Sequence, residues 1–554
     1  MTETSKADPP ARGGMGPTER SDVGGGSDAR ATDARPWWQD AIGYEVYLRS
    51  FADGDCDGVG DFLGLTERLG HLADLGIDLV WVTPFYPSPQ ADFGYDVADY
   101  RDVDPVYGTL ADFDRFLAKA KALGLRVLVD IVPNHSSSLH PWFRSAVMEG
   151  HESPYRDYYV WSDPAPDGGR PNNWLSMFGG PAWTLDERSG QYYMHLFLPE
   201  QPDLNWANDA VRDEFLDILR FWLDRGVDGF RIDVAHSLME DQTFPDDPPS
   251  PDLPDGQQPE TFGDLDHVYD LDREETVDIF RDWRVVADAR DAVLIGEVYL
   301  DEPERVAKYV EGDALHESFY FGLNALDWDP AEFARRIRHA NDTAPGGWSW
   351  VQGSHDEHRA VTRYGGGTVG RERSLALWSA MFGLPGTPFL YQGDELGLED
   401  GIVAPEDIQD PVGFVSPEDG RDPCRTPIPW APGPGNGFTT ADEPWLRCEQ
   451  RPAGDTVQVQ RASDGSFLNA MRSLIAARRS TADRRFGGVE WWDEAPEGTL
   501  AFTRGSIAHV VNLTDEPVAL ACGDGWELVH ATGTVELDGA VISLAPRTGT
   551  ILAT

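Results

Sequence analysis

From Trp37 onward, short apolar runs alternate with longer stretches in which apolar residues return every three or four positions. Runs of the first kind read as strands and stretches of the second kind as helices buried on one face. The strand-like runs are Ile42 to Arg49, Asp78 to Thr83, Arg126 to Val132, Val227 to Asp233, Ala292 to Val298, Glu317 to Leu323, Trp348 to Gln352 and Thr387 to Gln392. Helical stretches lie between them at Asp61 to Leu75, Leu110 to Leu123, Asp209 to Arg225, Asp272 to Ala289, Pro330 to Ala340 and Arg371 to Phe382. Alternation of this kind predicts a parallel sheet, and eight units suggest closure, so the expected fold is α/β, a (β/α)8 TIM barrel. An open doubly wound sheet is the competing arrangement.

Three connections are too long for simple loops. Asn134 to Trp206, after the third strand and rich in Tyr, Trp, Pro and Gly, reads as an inserted subdomain over the barrel mouth. Glu240 to Asp266 reads as a flap after the fourth strand, and Leu398 to about Ser463 as an insertion after the eighth. A helix at Ser466 to Arg479 should close the barrel. Beyond about Gly487 the pattern shortens to β-type runs, Ser506 to Leu513, Trp526 to Ala531 and Ala540 to Leu544, which predict a C-terminal antiparallel β-sandwich domain. The expected division is a tail over 1–35, barrel over 36–133, inserted subdomain over 134–206, barrel again over 207–483 and a β domain over 487–554.

Composition narrows the function classes. A formal charge of -51 over 554 residues argues against nucleic acid and anionic membranes as partners, since both need basic surfaces. The only lysines are Lys6, Lys119, Lys121 and Lys308, so arginine supplies nearly all positive charge. Cys56, Cys424, Cys448 and Cys522 lie far apart without CxxC spacing, which gives neither a zinc site nor a disulfide framework and fits reduced thiols in a cytoplasm. The first 35 residues hold no apolar run and read as a disordered tail, neither a signal nor an anchor. A monomer or homodimer is expected, with no organic cofactor.

The chemistry collects where strands end, on the face where barrel enzymes place their sites. The third strand ends in Asp130 to His135, the fourth in Arg231, Asp233 and His236, the fifth in Gly296-Glu297, and the seventh is followed by Ser354 to Arg359. Arg231 and Asp233, two apart on a strand, share a face, so a fixed cation should keep Asp233 ionised. A structural ion pair would account for that couple alone. Three acids and two histidines at successive ends of one barrel are harder to explain as solvated surface.

These stretches resemble glycoside hydrolase family 13, the α-amylase family. The resemblance rests on Asp130 to His135, Gly229 to His236, Gly296-Glu297 and His355-Asp356, with Gln201-Pro202-Asp203-Leu204-Asn205, Gly94-Tyr95-Asp96 and Thr83-Pro84. Tyr391-Gln392-Gly393-Asp394-Glu395 and Gly420-Arg421-Asp422-Pro423-Cys424-Arg425-Thr426-Pro427 resemble its oligo-1,6-glucosidase and α-glucosidase group. The resemblance implies Asp233 as nucleophile, Glu297 as general acid/base and Asp356 as transition-state stabiliser. It further implies that Asp96, His135, His355 and Arg359 grip the terminal glucose, with Asp96 and Arg359 pairing across the closed end of the pocket. It places His236 beside the leaving sugar. Phe178 reads either as an aromatic wall of the pocket or as an ordinary packing residue, and Arg231 is counted with the substrate-binding residues.

The implied activity is exo-acting, retaining hydrolysis of terminal α-linked glucose from small glucosides. A sugar acceptor in place of water would make the same intermediate serve a transglucosidase or an isomerising synthase, and a relative that binds sugar or protein without catalysis would have lost one of the acids. Linkage is read as α-1,4 with breadth: Val234 resembles enzymes acting on α-1,6 bonds, Ala235-His236 those acting on α-1,4 bonds. A second site is suggested by Asp53 to Asp61, where oxygen ligands alternate about a glycine turn, as a hard cation requires. Gly64 stands where an EF-hand needs Glu. The loop resembles the metal loop of the glucosidase group, which implies structural Ca²⁺ or Mg²⁺ held by Asp53, Asp55, Asp57, Asp61 and the Val59 carbonyl.

Overall fold

The computed structural model describes residues 35–254 and 256–554, so the expected tail lies outside the described residues up to position 34. Eight parallel strands close into a barrel: β1 (Gly43–Val46), β2 (Leu79–Val82), β3 (Arg126–Ile131), β4 (Gly229–Ile232), β5 (Val293–Gly296), β6 (Glu317–Tyr320), β7 (Trp348–Trp350) and β8 (Thr387–Tyr391). Each strand pairs with its neighbours in chain order, and β8 returns to β1.

Alternation along the strands sorts side chains into two layers. Leu79, Trp81, Leu128, Val293, Ile295, Phe319 and Phe389 fill the barrel interior, while Val80, Val82, Val127, Val129, Phe230 and Leu294 face the helices outside. Gly229 at the start of β4 has φ 153°, and a Cβ there would meet the Val293 carbonyl oxygen at 2.1 Å, so β4 and β5 approach closely only because the residue is glycine. The helices begin on side-chain caps: Asp61 accepts from the Gly64 amide ahead of Phe62–Leu75, and Asn208 from the Ala210 amide ahead of Asp209–Arg225.

The strands are shorter than the apolar runs. The first ends at Val46 because side chains take over the ladder, Gln392 accepting from the Tyr47 amide at 2.9 Å and Thr83 Oγ1 from the Leu48 amide at 3.3 Å. The helix Pro303–Val310, between β5 and β6, was not marked by the sequence pattern.

Residues 134–206 hold the helix Pro141–Glu149 and a small antiparallel sheet of Trp161–Ser162, Gln191–Met194 and Trp183–Asp186. The flap after β4 is joined to this segment by Asn173, which donates to the Asp247 carbonyl at 2.8 Å and accepts from the Asp247 amide at 2.9 Å. Toward the C-terminus a five-stranded antiparallel sheet and a three-stranded one enclose Ala501, Val510, Leu520, Ile542 and Leu552, the sandwich the sequence suggested. Among the described residues, no helix is long and apolar enough to cross a membrane.

Candidate active site

Register brings the acids together. Asp130 lies beside Arg231 across β3 and β4, and Ile232 lies beside Gly296 across β4 and β5, so Asp233 and Glu297 occupy the next rung of adjacent strands. One guanidinium joins all three acids. Arg231 Nη1 lies 3.0 Å from Asp130 and 2.5 Å from Asp233, and Nη2 lies 2.9 Å from Glu297. The second Glu297 oxygen accepts from the Val234 amide at 2.9 Å. Val234 holds φ 37°, a left-handed conformation costly for a β-branched residue. That turn aims its N–H at Glu297.

Arg231 does not serve Asp233 alone, since the same guanidinium also meets Asp130 and Glu297. Burial pushes the Asp233 carboxyl well above its ordinary range, Arg231 opposes the shift, and Glu297 and Asp130 reinforce it. Burial likewise pushes Asp130 up to about 7 against the pull of Arg231. One cation shared by three acids leaves negative charge uncompensated, and the cluster retains a proton more readily than an isolated pair.

Asp356 closes the other side. Its Oδ1 lies 3.1 Å from Arg421 and 2.7 Å from Arg425. Burial alone would raise this carboxyl; His355 and the two guanidiniums outweigh it and hold it below the usual carboxylate range. The fully buried His355 faces Glu45 at 2.5 Å, and burial drives its imidazole down to about 3 while raising Glu45.

Asp92, Tyr95, His135, Phe178, Asp233, Glu297, Asp356 and Arg421 line a pocket of about 260 Å³ at the C-terminal end of the barrel. Phe178 packs edge-on to Phe197, with ring centroids 5.4 Å apart. His135 accepts from the Gln201 amide at 2.9 Å, and burial keeps its ring neutral, with the pKa lowered to about 3. Arg231 and His355 stand behind this lining, and His236 is buried outside it, its pKa lowered by burial to about 4.

The expected pair of Asp96 and Arg359 does not form. Asp96 is fully buried and accepts from Ser88 Oγ at 2.7 Å and from the Ala91 and Asp92 amides at 3.0 and 3.1 Å. Arg359 donates to the carbonyls of Gln392 and Cys424, both at 2.8 Å. The pair across the pocket is instead Asp92 and Arg421 at 3.1 Å, with Gln201 donating to the second Asp92 oxygen at 3.2 Å. Asp96 therefore builds the turn that presents Asp92, helped by Phe93 at φ 47° and Gly94 at φ 109°. Asp410, fully buried, fixes Arg421 through contacts of 2.7 and 3.1 Å. The sequence held both signals: Asp92 lies two positions before Gly94, and Arg421 and Arg425 lie within the stretch already singled out.

In the loop after β1, Asp53, Asp55 and Asp61 each bring an oxygen within 4.8 Å of the others. Asp57 is not part of that group; its carboxylate accepts from the Val59 amide at 2.8 Å. Three converging carboxylates suit a hard divalent cation. Asp61 also caps the following helix, so an ion here would tie the loop to the barrel.

The fold and the paired acids define a carbohydrate-cleaving barrel enzyme. Residues 45–484 match the alpha amylase catalytic domain. A probable alpha-glucosidase of Rhizobium meliloti is 39% identical over 501 residues, 87% of this chain and 90% of that one. A trehalose-6-phosphate hydrolase of Escherichia coli is 35% identical over 491 residues, 82% of this chain and 86% of that one. Among solved structures, the alpha-glucosyl transfer enzyme XgtA superposes with a TM-score of 0.88 at 38% identity, covering 94% of this chain and all of that one (100%). The chain belongs to the alpha-amylase family and is a glycoside hydrolase.

Proposed function

We propose that this protein is an exo-acting, retaining α-glucosidase that removes terminal α-linked glucose from small glucosides. The observation carrying the reading is the bridge of Arg231 to Asp233 and Glu297 at the floor of a small pocket walled by Asp92 and Arg421. Adjacent strands lie about 4.8 Å apart, close to the roughly 5–5.5 Å that separates the carboxyls of a retaining pair. At about 260 Å³ the pocket suits one sugar unit better than a chain. It is smaller than the ~300–1,000 Å³ of common ligand sites.

Asp233 would attack the anomeric carbon while Glu297 gives its proton to the departing oxygen. Glu297, now a carboxylate, would then take a proton from water as that water displaces Asp233 and restores the α configuration. Asp356, kept ionised by Arg421 and Arg425, faces the positive charge that develops on the sugar ring. His135 and Phe178 would hold the glucose, and His236 would act from outside the pocket lining. The loop of Asp53, Asp55 and Asp61 is read as a structural Ca²⁺ or Mg²⁺ site. Four free cysteines support a cytoplasmic setting.

The similarity to an α-glucosyl transfer enzyme favours a second reading, in which an acceptor alcohol takes the glucosyl group from Asp233 in place of water. Incubation with maltose, isomaltose, sucrose and trehalose, followed by NMR of the products, tests both. Release of α-glucose supports the first, and new glucosides at high acceptor concentration support the second. Release of β-glucose would overturn the retaining mechanism. Glu297→Gln should lose roughly 10²–10⁴-fold on maltose and much less on nitrophenyl α-glucoside, whose leaving group needs little protonation.

A further inference from the structure

A glucose seated against Asp92 and Arg421 must direct its leaving group toward the open side of the pocket. That side is acidic. Glu357 follows Asp356 in the lining, and its carboxylate accepts from the Tyr299 hydroxyl. Tyr299 is 44% exposed and stacks on Phe321 with ring centroids 5.1 Å apart, which marks it as part of the mouth. The exposed Asp419 lines the same opening.

Positive charge near the pocket is already committed. Arg421, the only arginine or lysine in the lining among the described residues, contacts Asp92, Asp356 and Asp410. Arg425 is held by Asp356, and Arg231 by three carboxyls. Beside Glu357, His358 pairs with Asp400 at 2.7 Å and Arg363 donates to backbone carbonyls, those of His358 and Asn324 both at 2.9 Å. Arg363 keeps its charge, but its N–H groups are taken up by these carbonyls and do not point free into the mouth.

Resting on the α-glucosidase reading, we propose that Glu357 and Asp419 restrict the enzyme to uncharged leaving groups and exclude α-glucosides phosphorylated on the leaving sugar. A phosphate carries up to two charges at neutral pH, and bringing it against like charge in a partly desolvated mouth is strongly unfavourable. The trehalose-6-phosphate hydrolase similar to this chain bears a name that implies the opposite preference, so the discrimination separates two readings of one fold.

The test compares maltose with maltose phosphorylated at C6 of its reducing glucose. The expected kcat/KM ratio favours maltose by roughly 100-fold at low salt and narrows as NaCl screens the mouth. In the Glu357→Gln, Asp419→Asn double variant it should shrink to roughly tenfold. Equal kcat/KM for the two sugars in the wild type, or a ratio unmoved by both salt and substitution, overturns the proposal. Cleavage of neither sugar would count against the α-glucosidase reading instead. Calorimetric titration of the Asp233→Asn protein with both sugars then still decides, since tighter binding of maltose supports the exclusion and equal binding rejects it.

Discussion

At the scale of single residues, the exchange of Asp96 for Asp92 shows how a motif can point one turn away from the group that lines the pocket. Asp96 accepts from the amides that shape the turn, and Asp92 meets Arg421. Asp92→Ala should cost kcat/KM about 2–4 kcal/mol, because it strips a buried guanidinium of a partner and a hydroxyl site from the pocket. Asp96→Asn keeps one accepting oxygen, so its loss should be far smaller; steady-state kinetics on maltose separates the two, and equal losses would return the binding role to Asp96. The acids and their order were legible because they stand at strand ends. The Asp92–Arg421 pair was not, since its members lie 329 positions apart and meet only through an insertion. Asp130 gives a pH prediction. Its folded pKa, raised by burial to about 7 from an ordinary 3.8, means that the native state holds a proton the unfolded chain has released between those values. Stability from this group is thus present at low pH and lost as pH rises from about 4 to about 7. Urea denaturation across that window should show a falling component that Asp130→Asn abolishes; an unchanged slope in the variant contradicts the assignment.

At the scale of elements, strands and helices were readable wherever one face is buried, because alternation and the three-to-four spacing are direct products of that burial. The sheet in residues 134–206 escaped, as its strands span two to four residues and its aromatic side chains pack on both sides. The loop after β1 was readable as a candidate cation site in composition, yet only the fold shows that Asp57 turns to the Val59 amide and leaves three acids converging. Asp55 isolates the metal question, since apart from that group it accepts, among the described residues, only from the Asp57 amide, whereas Asp61 also caps a helix. Millimolar Ca²⁺ or Mg²⁺ should raise the melting temperature by roughly 2 °C or more over chelated protein, and Asp55→Asn should remove most of that gain while leaving the chelated protein nearly unchanged. Calorimetric scans showing the same gain in the variant would place the ion elsewhere.

At the scale of the whole molecule, the charge of -51 sets a condition that no single contact reveals. Among the described residues, most arginines on the outside already sit in pairs, such as Arg101 with Glu214 at 2.7 Å and Arg290 with Asp224 at 2.6 Å. The 96 acids outnumber the 45 basic residues, so the excess repels itself over the surface. Folding gathers that charge into a smaller volume, and screening should therefore favour the native state. Two mechanisms for salt can be told apart. Screening acts mostly below about 0.2–0.3 M, where the Debye length falls under about 8 Å, and it depends on ionic strength alone. Strengthened burial of apolar surface grows steadily with concentration and is larger for sulfate than for chloride. The charge balance predicts the first: the melting temperature should climb by roughly 2 °C or more between 0.02 and 0.3 M NaCl, level off beyond, and follow the same curve in sodium sulfate when plotted against ionic strength. The buried contacts of Arg231 and Arg421 are shielded from that screening, so kcat/KM on an uncharged glucoside should change little over the same range. A melting temperature flat in salt, or one that separates chloride from sulfate at equal ionic strength, would show that paired arginines already neutralise the surface.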